Sequence, residues 1–453
     1  MKKFNCLIAL LIIVGILGFS FYYFFLRESK EEKAKKEILN NTDDNYAEIN
    51  KYIVYGTHLN IEGTIDKKLY EDNILGAELV FRTLDNKSQS FEIEYELLDD
   101  DKFEFKTSEK INEGIDLENL KEGDYYVFIK IKEKNLNEKE EDKNKVTYYS
   151  LNNKTKYKNI EYYTITKNEK NNKIDINFNT LETKNLNKKY MNISVKETEL
   201  PKDVYDIVID PGHGGKDGGA VVGEGENQQV EKDITLDYAK DLKKSLEKLG
   251  LKVKLTRDGT NEEELGIYDM YGRKGRAVIP NEVKAKYTIS LHLNSAEYKM
   301  SKGGVEIYAP SNAKLEFAKL LADNLVEYAK TTYSPNVTAK VEDGVYVRNF
   351  TQAEIDSSKE DAIEAGYEPY NITTDTPYLF MVREPGGIAT NAYVDGRNKL
   401  YDDNPYYDSN IGVESYLLEL GFMNSSNDLN NILNNRNLYI EGLQASFKNY
   451  LDL

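Results

Sequence analysis

The sequence predicts two folded domains of different class, an all-β, sandwich-like domain followed by a C-terminal α/β domain. Residues 46–180 alternate apolar and charged side chains with a period of two, as in the run F-E-I-E-Y-E-L, which is typical of half-buried strands. From Val204 onward, β-branched apolar runs alternate with stretches of helical period, which indicates a largely parallel sheet covered by helices. A separate, almost continuously apolar segment occupies residues 1–26.

Length, charge and cysteine content narrow the possible classes of protein. A chain of 453 residues is long enough for two domains. The net charge of −18 argues against nucleic acid as a partner, because surfaces that bind nucleic acid are basic. The single cysteine, Cys6, leaves no disulfide and no cysteine metal site within one chain.

The N-terminal segment, residues 1–26, is predicted to be a single transmembrane signal anchor. As a helix rising about 1.5 Å per residue, the run Phe4–Leu26 can cross the roughly 30 Å hydrocarbon core of a membrane. A cleaved signal peptide is the alternative, although its apolar region would be shorter and no A-x-A-like site follows. Residues 27–45 are charged and are predicted to form a stalk, as a fraying helix or a solvated linker. We expect the bulk of the chain to be extracytoplasmic, chiefly because of the chemistry described below.

The first folded domain is predicted to span residues 46–180. About eight strands separated by polar turns, without a convincing helix, indicate a β-sandwich. His58 lies in this domain without a neighbouring acidic or cysteine cluster, so we interpret it as structural or exposed. Residues 181–203 are rich in Asn, Lys and Thr and are predicted to be a linker. The sequence leaves open which protein partner, if any, the β-domain binds.

The second domain, residues 204–453, is predicted to alternate strands and helices. Its predicted strands are Val204–Asp210, Leu251–Thr256, Tyr287–Leu293, Val305–Ala309, Tyr378–Val382 and Val413–Leu420. Its predicted helices are Ile234–Leu249, Ile267–Val278, Leu315–Ala329 and Leu429–Leu451. Two stretches, 331–376 and 384–412, are long and polar, and connections of such length are usually functional or mobile.

Two of the three histidines lie near the ends of predicted strands. The run I-V-I-D-P-G-H-G-G breaks a buried strand into a glycine-rich turn that presents His213 at the carboxyl end of that strand. His292 lies near the end of Y-T-I-S-L-H-L-N-S. Imidazole is the commonest metal ligand, and hydrolytic zinc sites commonly combine two histidines with one carboxylate. Each histidine taken alone is more simply explained as structural.

A two-histidine site needs a carboxylate, and Glu231 stands at the start of the first helix of this domain, where it can face His213. An acid in the first turn is also favoured by the helix dipole alone, so the assignment stays open at this point. The candidate carboxylates are Asp210, Asp217, Glu224, Glu226, Glu231 and Glu419.

Glu419 lies in the apolar run S-Y-L-L-E-L-G-F, where burial raises the pKa of a carboxyl group towards working pH. A structural acid paired with a basic residue such as Arg383 is the alternative interpretation of Glu419. Glu414, five residues earlier, falls on the opposite face of the strand and is predicted to be solvated.

Four motifs follow one another in the C-terminal half of the chain: I-V-I-D-P-G-H-G-G, V-E-K-D-I-T-L, S-L-H-L-N-S and L-E-L-G-F-M-N. Together they resemble the zinc-dependent N-acetylmuramoyl-L-alanine amidases of the amidase 3 type. The similarity covers about Val204–Leu451. The resemblance implies a mixed six-stranded sheet flanked by helices and Zn²⁺ as the cofactor. It implies that His213, Glu231 and His292 bind the zinc and that Glu419 is the catalytic glutamate.

The resemblance also implies the reaction, hydrolysis of the amide between N-acetylmuramic acid and L-alanine in peptidoglycan. Asn294, two residues beyond His292, and Arg383 are candidates for contact with the substrate. The stretch 384–412 interrupts the family pattern and is expected to form a wall or lid near the mouth of the site, or else a remote surface elaboration. The alternatives are another zinc amidohydrolase or peptidase, and an inactive or gated amidase-like domain that serves as a scaffold for the cell wall.

Overall fold

The computed structural model describes residues 30–67, 69, 73–98, 102–134, 144–167, 170–260, 275–296, 303–366, 369, 372–387 and 409–453. The predicted transmembrane segment Phe4–Leu26 lies outside the described residues. None of the described helices is long and apolar enough to cross a membrane. Residues 30–40 of the predicted stalk form a helix, α1, and its Ile38 and Leu39 pack against Phe128 and Tyr190. The stalk is therefore docked on the β-domain at this point.

The N-terminal domain is all-β, as predicted, because alternate apolar residues of its strands converge on one core. Its strands are β1 (Ala47–Tyr55), β2 (His58–Ile65), β3 (Ile74–Arg82), β4 (Ser88–Glu92), β5 (Glu94–Leu97), β6 (Phe103–Lys106), β7 (Ile115–Asp116), β8 (Gly123–Glu133), β9 (Lys145–Asn153), β10 (Ile160–Tyr163), β11 (Asn171–Glu182) and β12 (Asn187–Thr198).

The prediction that residues 181–203 form a linker is wrong over most of this stretch. Strand β12 pairs with β11 along its whole length, from Asn187 opposite Glu182 to Thr198 opposite Asn171. In the middle of β12, the alternate residues Met191, Ile193 and Val195 are buried in the core of the β-domain. The composition of this stretch hides that period of two, and the β-domain therefore extends to Thr198.

The C-terminal domain is a mixed α/β domain. Its strands are β13 (Ile207–Pro211), β14 (Val221–Val222), β15 (Gln229–Val230), β16 (Val253–Leu255), β17 (Tyr287–Asn294), β18 (Glu306–Tyr308), β19 (Lys340–Glu342), β20 (Val345–Tyr346), β21 (Ile411–Gly412) and β22 (Glu414–Phe422). Its helices are α2 (Glu231–Glu247), α3 (Ile279–Glu282), α4 (Glu316–Ala329), α5 (Gln352–Glu364), α6 (Phe380–Arg383), α7 (Ser426–Asn434) and α8 (Arg436–Tyr450).

The central sheet has seven strands among the described residues, in the order β16-β13-β17-β22-β18-β20-β19, and not the six that were expected. The first four are parallel, whereas β18 runs antiparallel to β22. The stretch 331–376 adds the hairpin β19–β20 to the sheet. Residues Tyr378–Val382, predicted as a strand, instead form a turn and the short helix α6, and the predicted helix at Leu429–Leu451 is divided at Asn435. Most of the predicted helix Ile267–Val278 lies outside the described residues.

A single extended stretch, residues 411–422, belongs to both sheets. Strand β21 pairs in parallel with β1 of the N-terminal domain, with Val54 opposite Ile411 and Tyr55 opposite Gly412. After Val413 the chain continues as β22, which pairs with β17 in the central sheet of the C-terminal domain. The strand that carries Glu419 is thus built onto the β-domain at its start.

The β-domain covers the amino edge of the parallel strands. Thr166 donates its backbone N–H to Asp206, just before β13, at 3.1 Å. At the start of β17, the Lys286 ammonium lies 5.2 Å from the ring centre of Tyr162. The carboxyl edge, where the glycine-rich turn and the end of β17 lie, faces the other way.

The described ends of the stretch 384–412 also lie at the amino edge, which contradicts the expectation for these parts. The carbonyl of Pro385 accepts a hydrogen bond from Val413 N–H at 2.9 Å, and Gly412 pairs with β1. Glu414 begins β22, and Glu419 follows five residues later, about 16 Å along the strand. Residues 388–408 lie outside the described residues.

Glu414 is fully buried at the contact between the domains, so the prediction that it is solvated is wrong. It is 0% exposed, and its carboxylate accepts hydrogen bonds from Asn112 Nδ2 at 3.0 Å and from the Tyr416 hydroxyl. Burial raises the pKa of Glu414 from an ordinary 4.5 to about 7, although the hydrogen bonds from Tyr416 and Asn112 oppose this shift. The face opposite Glu419 is therefore covered by the β-domain and not by water.

The buried Glu414 should make the stability of the protein depend on pH. Because its pKa is higher in the folded protein than in the unfolded chain, its contribution is full below about 4.5 and is lost as the pH rises through about 7. The loss is on the order of 3 kcal/mol, since one pKa unit corresponds to about 1.4 kcal/mol. Urea unfolding at pH 5 and pH 8 should therefore show a smaller pH dependence for Glu414→Gln than for the unmodified chain. Equal pH dependence in the two proteins would contradict a buried, titrating Glu414.

Candidate metal centre and active site

His213 is presented by a sharp break after β13. Its backbone has φ = 60°, a left-handed conformation that is uncommon for a residue other than glycine. Arg276 Nη2 donates to the His213 carbonyl at 2.6 Å, and Arg257 Nη2 donates to the Gly212 carbonyl at 3.0 Å. The two guanidinium groups thus hold the backbone that aims this imidazole.

Glu231 is the first residue of α2 and is only 3% exposed. Its Oε1 accepts the backbone N–H of Leu293 at 2.8 Å, and its Oε2 accepts that of Ala220 at 2.9 Å. Burial raises the pKa of Glu231, but hydrogen bonds from His213 and His292 outweigh it and hold the pKa well below its usual range. The carboxylate is therefore ionised and fixed in direction.

The structure brings His213, Glu231 and His292 together as a triangle of donor atoms. His213 Nε2 lies 3.1 Å from Glu231 Oε1, and His292 Nδ1 lies 3.2 Å from each of these atoms. Ligand atoms held 2.0–2.1 Å from a tetrahedral zinc lie about 3.3–3.4 Å apart, so the triangle has the size that such an ion needs. The three residues form a group that could hold a metal ion.

The other candidate carboxylates lie outside this triangle. Asp217 Oδ2 is 2.8 Å from His213 Nδ1, the nitrogen that faces away from Glu231, and therefore orients the ring. Asp210 accepts hydrogen bonds from Thr256 and Ser290, each at 2.6 Å. The remaining two candidates are exposed in the turn before α2: Glu224 and Glu226.

Burial lowers the pKa of His213, but its hydrogen bonds to Glu231 and Asp217 outweigh that effect, so the pKa is raised overall. Protons and a metal ion therefore compete for the Nε2 atom of His213, and we expect metal affinity to fall in acid.

Two glycines leave room for the ligand side chains. A Cβ atom at Gly212 would lie 2.4 Å from the His292 ring. A Cβ atom at Gly219, where φ is +66°, would lie 2.6 Å from Glu231 Oε2 and from His213 Cδ2. A side chain at either position would displace the metal-binding groups.

Glu419 stands beside the triangle, because it is the parallel strand partner of His292. Burial, with the negative charges of Glu231 and Glu306, raises the pKa of Glu419 well above its usual range. Its Oε2 is buried and accepts no hydrogen bond from the described residues. Such a carboxylate is suited to take up a proton near neutral pH.

Arg383 is not the partner of Glu419 that one interpretation of the sequence expected. It lies in α6, is 5% exposed, and donates to Glu384 Oε1 at 2.8 Å and to the carbonyl oxygens of Pro377 and Tyr378. The residues just after it contact the amino edge of β22. Its predicted contact with substrate is therefore not supported.

Asn294 has a defined structural contact. Its Nδ2 donates to Glu306 Oε2 at 3.0 Å. Contact of Asn294 with substrate stays a prediction.

Glu306 was not recognised from the sequence, although it is fully buried and is the antiparallel strand partner of Glu419. The signal that singled out Glu419, an acid within an apolar strand, is also present in the run V-E-I-Y and could have found it.

Comparisons with known proteins find similarity to N-acetylmuramoyl-L-alanine amidases. Residues 207–364 match the family Amidase_3, described as N-acetylmuramoyl-L-alanine amidase, so Glu419 lies beyond the matched segment. A germination-specific N-acetylmuramoyl-L-alanine amidase of Bacillus subtilis is 35% identical over 141 residues, 30% of this chain and 58% of the relative. A probable cell wall amidase LytH of Staphylococcus epidermidis is 37% identical over 102 residues, 22% of this chain and 30% of the relative.

The chain thus spans 58% of the length of the first of these relatives and 30% of the second. Among solved structures, the N-acetylmuramoyl-L-alanine amidase AmiC2 of Nostoc punctiforme is 22% identical with a TM-score of 0.35, and the match covers 55% of this chain and 98% of that one. An N-acetylmuramoyl-L-alanine amidase from Clostridium difficile 630 has 21% identity and a TM-score of 0.34 over the same shares.

Gly219→Ala should weaken metal binding, because the added methyl group would contact Glu231 and His213. We expect zinc affinity to fall about 10- to 100-fold, the range seen when the groups supporting a metal ligand are disturbed. Gly225→Ala is the matched control, since Gly225 also has positive φ but no atom within 4 Å of an added Cβ. Competition with a chelator gives both affinities. Equal affinities for the two variants would contradict the tight packing around the triangle.

Proposed function

We propose that this chain, whose residues 207–364 match the Amidase_3 family, is a peptidoglycan hydrolase that depends on zinc. It cleaves the amide between N-acetylmuramic acid and the L-alanine of the stem peptide. The observation that carries the proposal is the triangle of His213, Glu231 and His292 beside Glu419, a half-buried residue whose Oε2 is buried and accepts no hydrogen bond from the described residues. The names of the matching relatives support the choice of substrate.

The donor set fits zinc, because two imidazoles and one carboxylate leave the fourth tetrahedral position open. When bound, the ion would polarise the substrate carbonyl and make coordinated water more acidic. His213 is held for this role by Asp217, which accepts from its Nδ1 and leaves Nε2 directed at the triangle. Glu231 is held by two backbone N–H groups, so its Oε1 keeps its position without the ion.

Glu419 supplies the acid–base chemistry. Its raised pKa lets it take a proton from the attacking water and then deliver that proton to the departing amine of L-alanine. A basic partner would hold Glu419 ionised and reduce its ability to shuttle a proton, and the described residues provide none. This environment favours an active hydrolase over an inactive scaffold.

We also propose that Phe4–Leu26 anchors the chain in the cell membrane, with both folded domains outside and facing the wall. The path of the chain supports a catalytic edge that faces away from the membrane. Strand β1 runs about 26 Å from α1 to the contact between the domains, and β22 continues about 16 Å to Glu419. The catalytic edge therefore points away from α1. Protease treatment of intact cells without their wall should degrade the folded domains, whereas protection of both domains would contradict this orientation.

Glu419→Gln should abolish hydrolysis while the variant keeps its metal. The amide has nearly the same volume but cannot take up a proton, so turnover should fall about 10²- to 10⁴-fold. The assay follows new N-terminal L-alanine released from purified peptidoglycan, together with zinc content and melting temperature. Glu414→Gln is the control, because it changes a buried glutamate on the other face of the same strand. Retained hydrolysis with normal zinc in Glu419→Gln would contradict the mechanism.

A further inference from the structure

Two carboxylates face each other across β18 and β22 at the catalytic edge. Glu306 is the direct antiparallel partner of Glu419, so their side chains project from the same face of the sheet. Like charges directly opposite each other are unfavourable. The arrangement therefore needs a physical reason, and the hydrogen-bond donors around the pair supply one.

The donors of this pocket are directed at Glu306. Ser334, itself 2% exposed, donates its hydroxyl to Oε1 at 2.6 Å. Asn294 Nδ2 and the Tyr308 hydroxyl donate to Oε2 at 3.0 Å and 2.7 Å. Three donors from three different segments thus satisfy one buried carboxylate.

Glu419 has the opposite environment. Its Oε2 is buried and accepts no hydrogen bond from the described residues, and the titratable groups that face it are Glu306 from β18, Glu231 from α2 and His292 from β17. A hydrogen bond to an ionised carboxylate stabilises that form and reduces its tendency to accept a proton. An acceptor without a donor is therefore the more effective base.

We propose that Glu306 is a positioning residue for Glu419, because it occupies the three donors of the pocket and keeps the catalytic carboxylate free to accept the proton of water. This inference rests on the proposed function. Of the two facing glutamates, Glu306 accepts three hydrogen bonds, whereas Glu419 Oε2 accepts none from the described residues. A merely structural Glu306 would only fasten β18 to the end of β17 and to the segment around Ser334.

Glu306→Gln tests the inference, because its amide brings N–H donors next to Glu419 Oε2, which accepts no hydrogen bond from the described residues. With the full chain loaded with zinc, we expect kcat on muropeptides to fall at least about tenfold, which is part of the worth of one acid–base group. KM and zinc content should stay unchanged, since the substrate and metal contacts remain.

Ser334→Ala is the matched control. It removes a buried hydrogen bond of Glu306 and lowers stability, but it brings no donor to Glu419, so kcat should stay within about twofold. Glu306→Asp keeps the charge but draws back from the donors, which frees them to reach Glu419, and it should lower kcat in the same direction. This variant also serves if Glu306→Gln does not fold.

Unchanged kcat in Glu306→Gln or Glu306→Asp overturns the inference. So do losses of kcat in all three variants that follow melting temperature alone, because they show a structural role. Failure of the proposed function itself is distinguished by Glu419→Gln. If that variant still cleaves peptidoglycan, the function is wrong, whereas if it is inactive and Glu306→Gln is fully active, only the role of Glu306 is wrong.

Discussion

The extended stretch 411–422 is the constraint on which the rest of the structure depends. Its first two residues complete the sheet of the β-domain, and its remainder is a central strand of the catalytic sheet. A strand hydrogen-bonded at its start to β1 cannot slide by one residue, because a slip would turn every side chain to the opposite face. The register that places Glu419 beside His292 and Glu306 is thus tied to the β-domain as well as to the catalytic core.

The same strand uses two glutamates in different ways. Glu414 faces the β-domain, where Asn112 and the Tyr416 hydroxyl both donate to its Oε1, and Gly56 leaves the space it needs. Glu419 lies on the other face, where the nearby hydrogen-bond donors are bonded to Glu306 instead. Both pKa values are raised by burial, but only Glu419 lies beside atoms that can hold a metal ion. Environment, and not residue type, separates the structural glutamate from the proposed catalytic one.

The β-domain is therefore part of the architecture of the proposed active site without contributing a residue to the metal triangle. It contacts the amino edge of the strands that carry His213, His292 and Glu419, and the described ends of the stretch 384–412 are held at that same edge. This arrangement leaves the metal-binding turn at the opposite edge, in keeping with the position of ligand sites in open α/β sheets.

The sequence by itself determined His213, Glu231 and Glu419 as candidate site residues, because each is marked by its neighbours along the chain. The turn after β13 requires glycines and presents His213, α2 begins at Glu231, and an acid in an apolar strand marks Glu419, all of which depend on neighbours along the chain. The sequence also determined the two fold classes, because periods of two and of helical type are local signals. Contacts between distant segments decided the rest. Because side chains alternate along a strand, the sequence placed Glu414 on the face opposite Glu419. Only the tertiary structure showed that the β-domain, and not water, covers that face. The pairing of β12 with β11, the position of Arg383 at the amino edge and the meeting of Glu306 with Glu419 likewise depend on which strands become neighbours, and no local pattern encodes that choice.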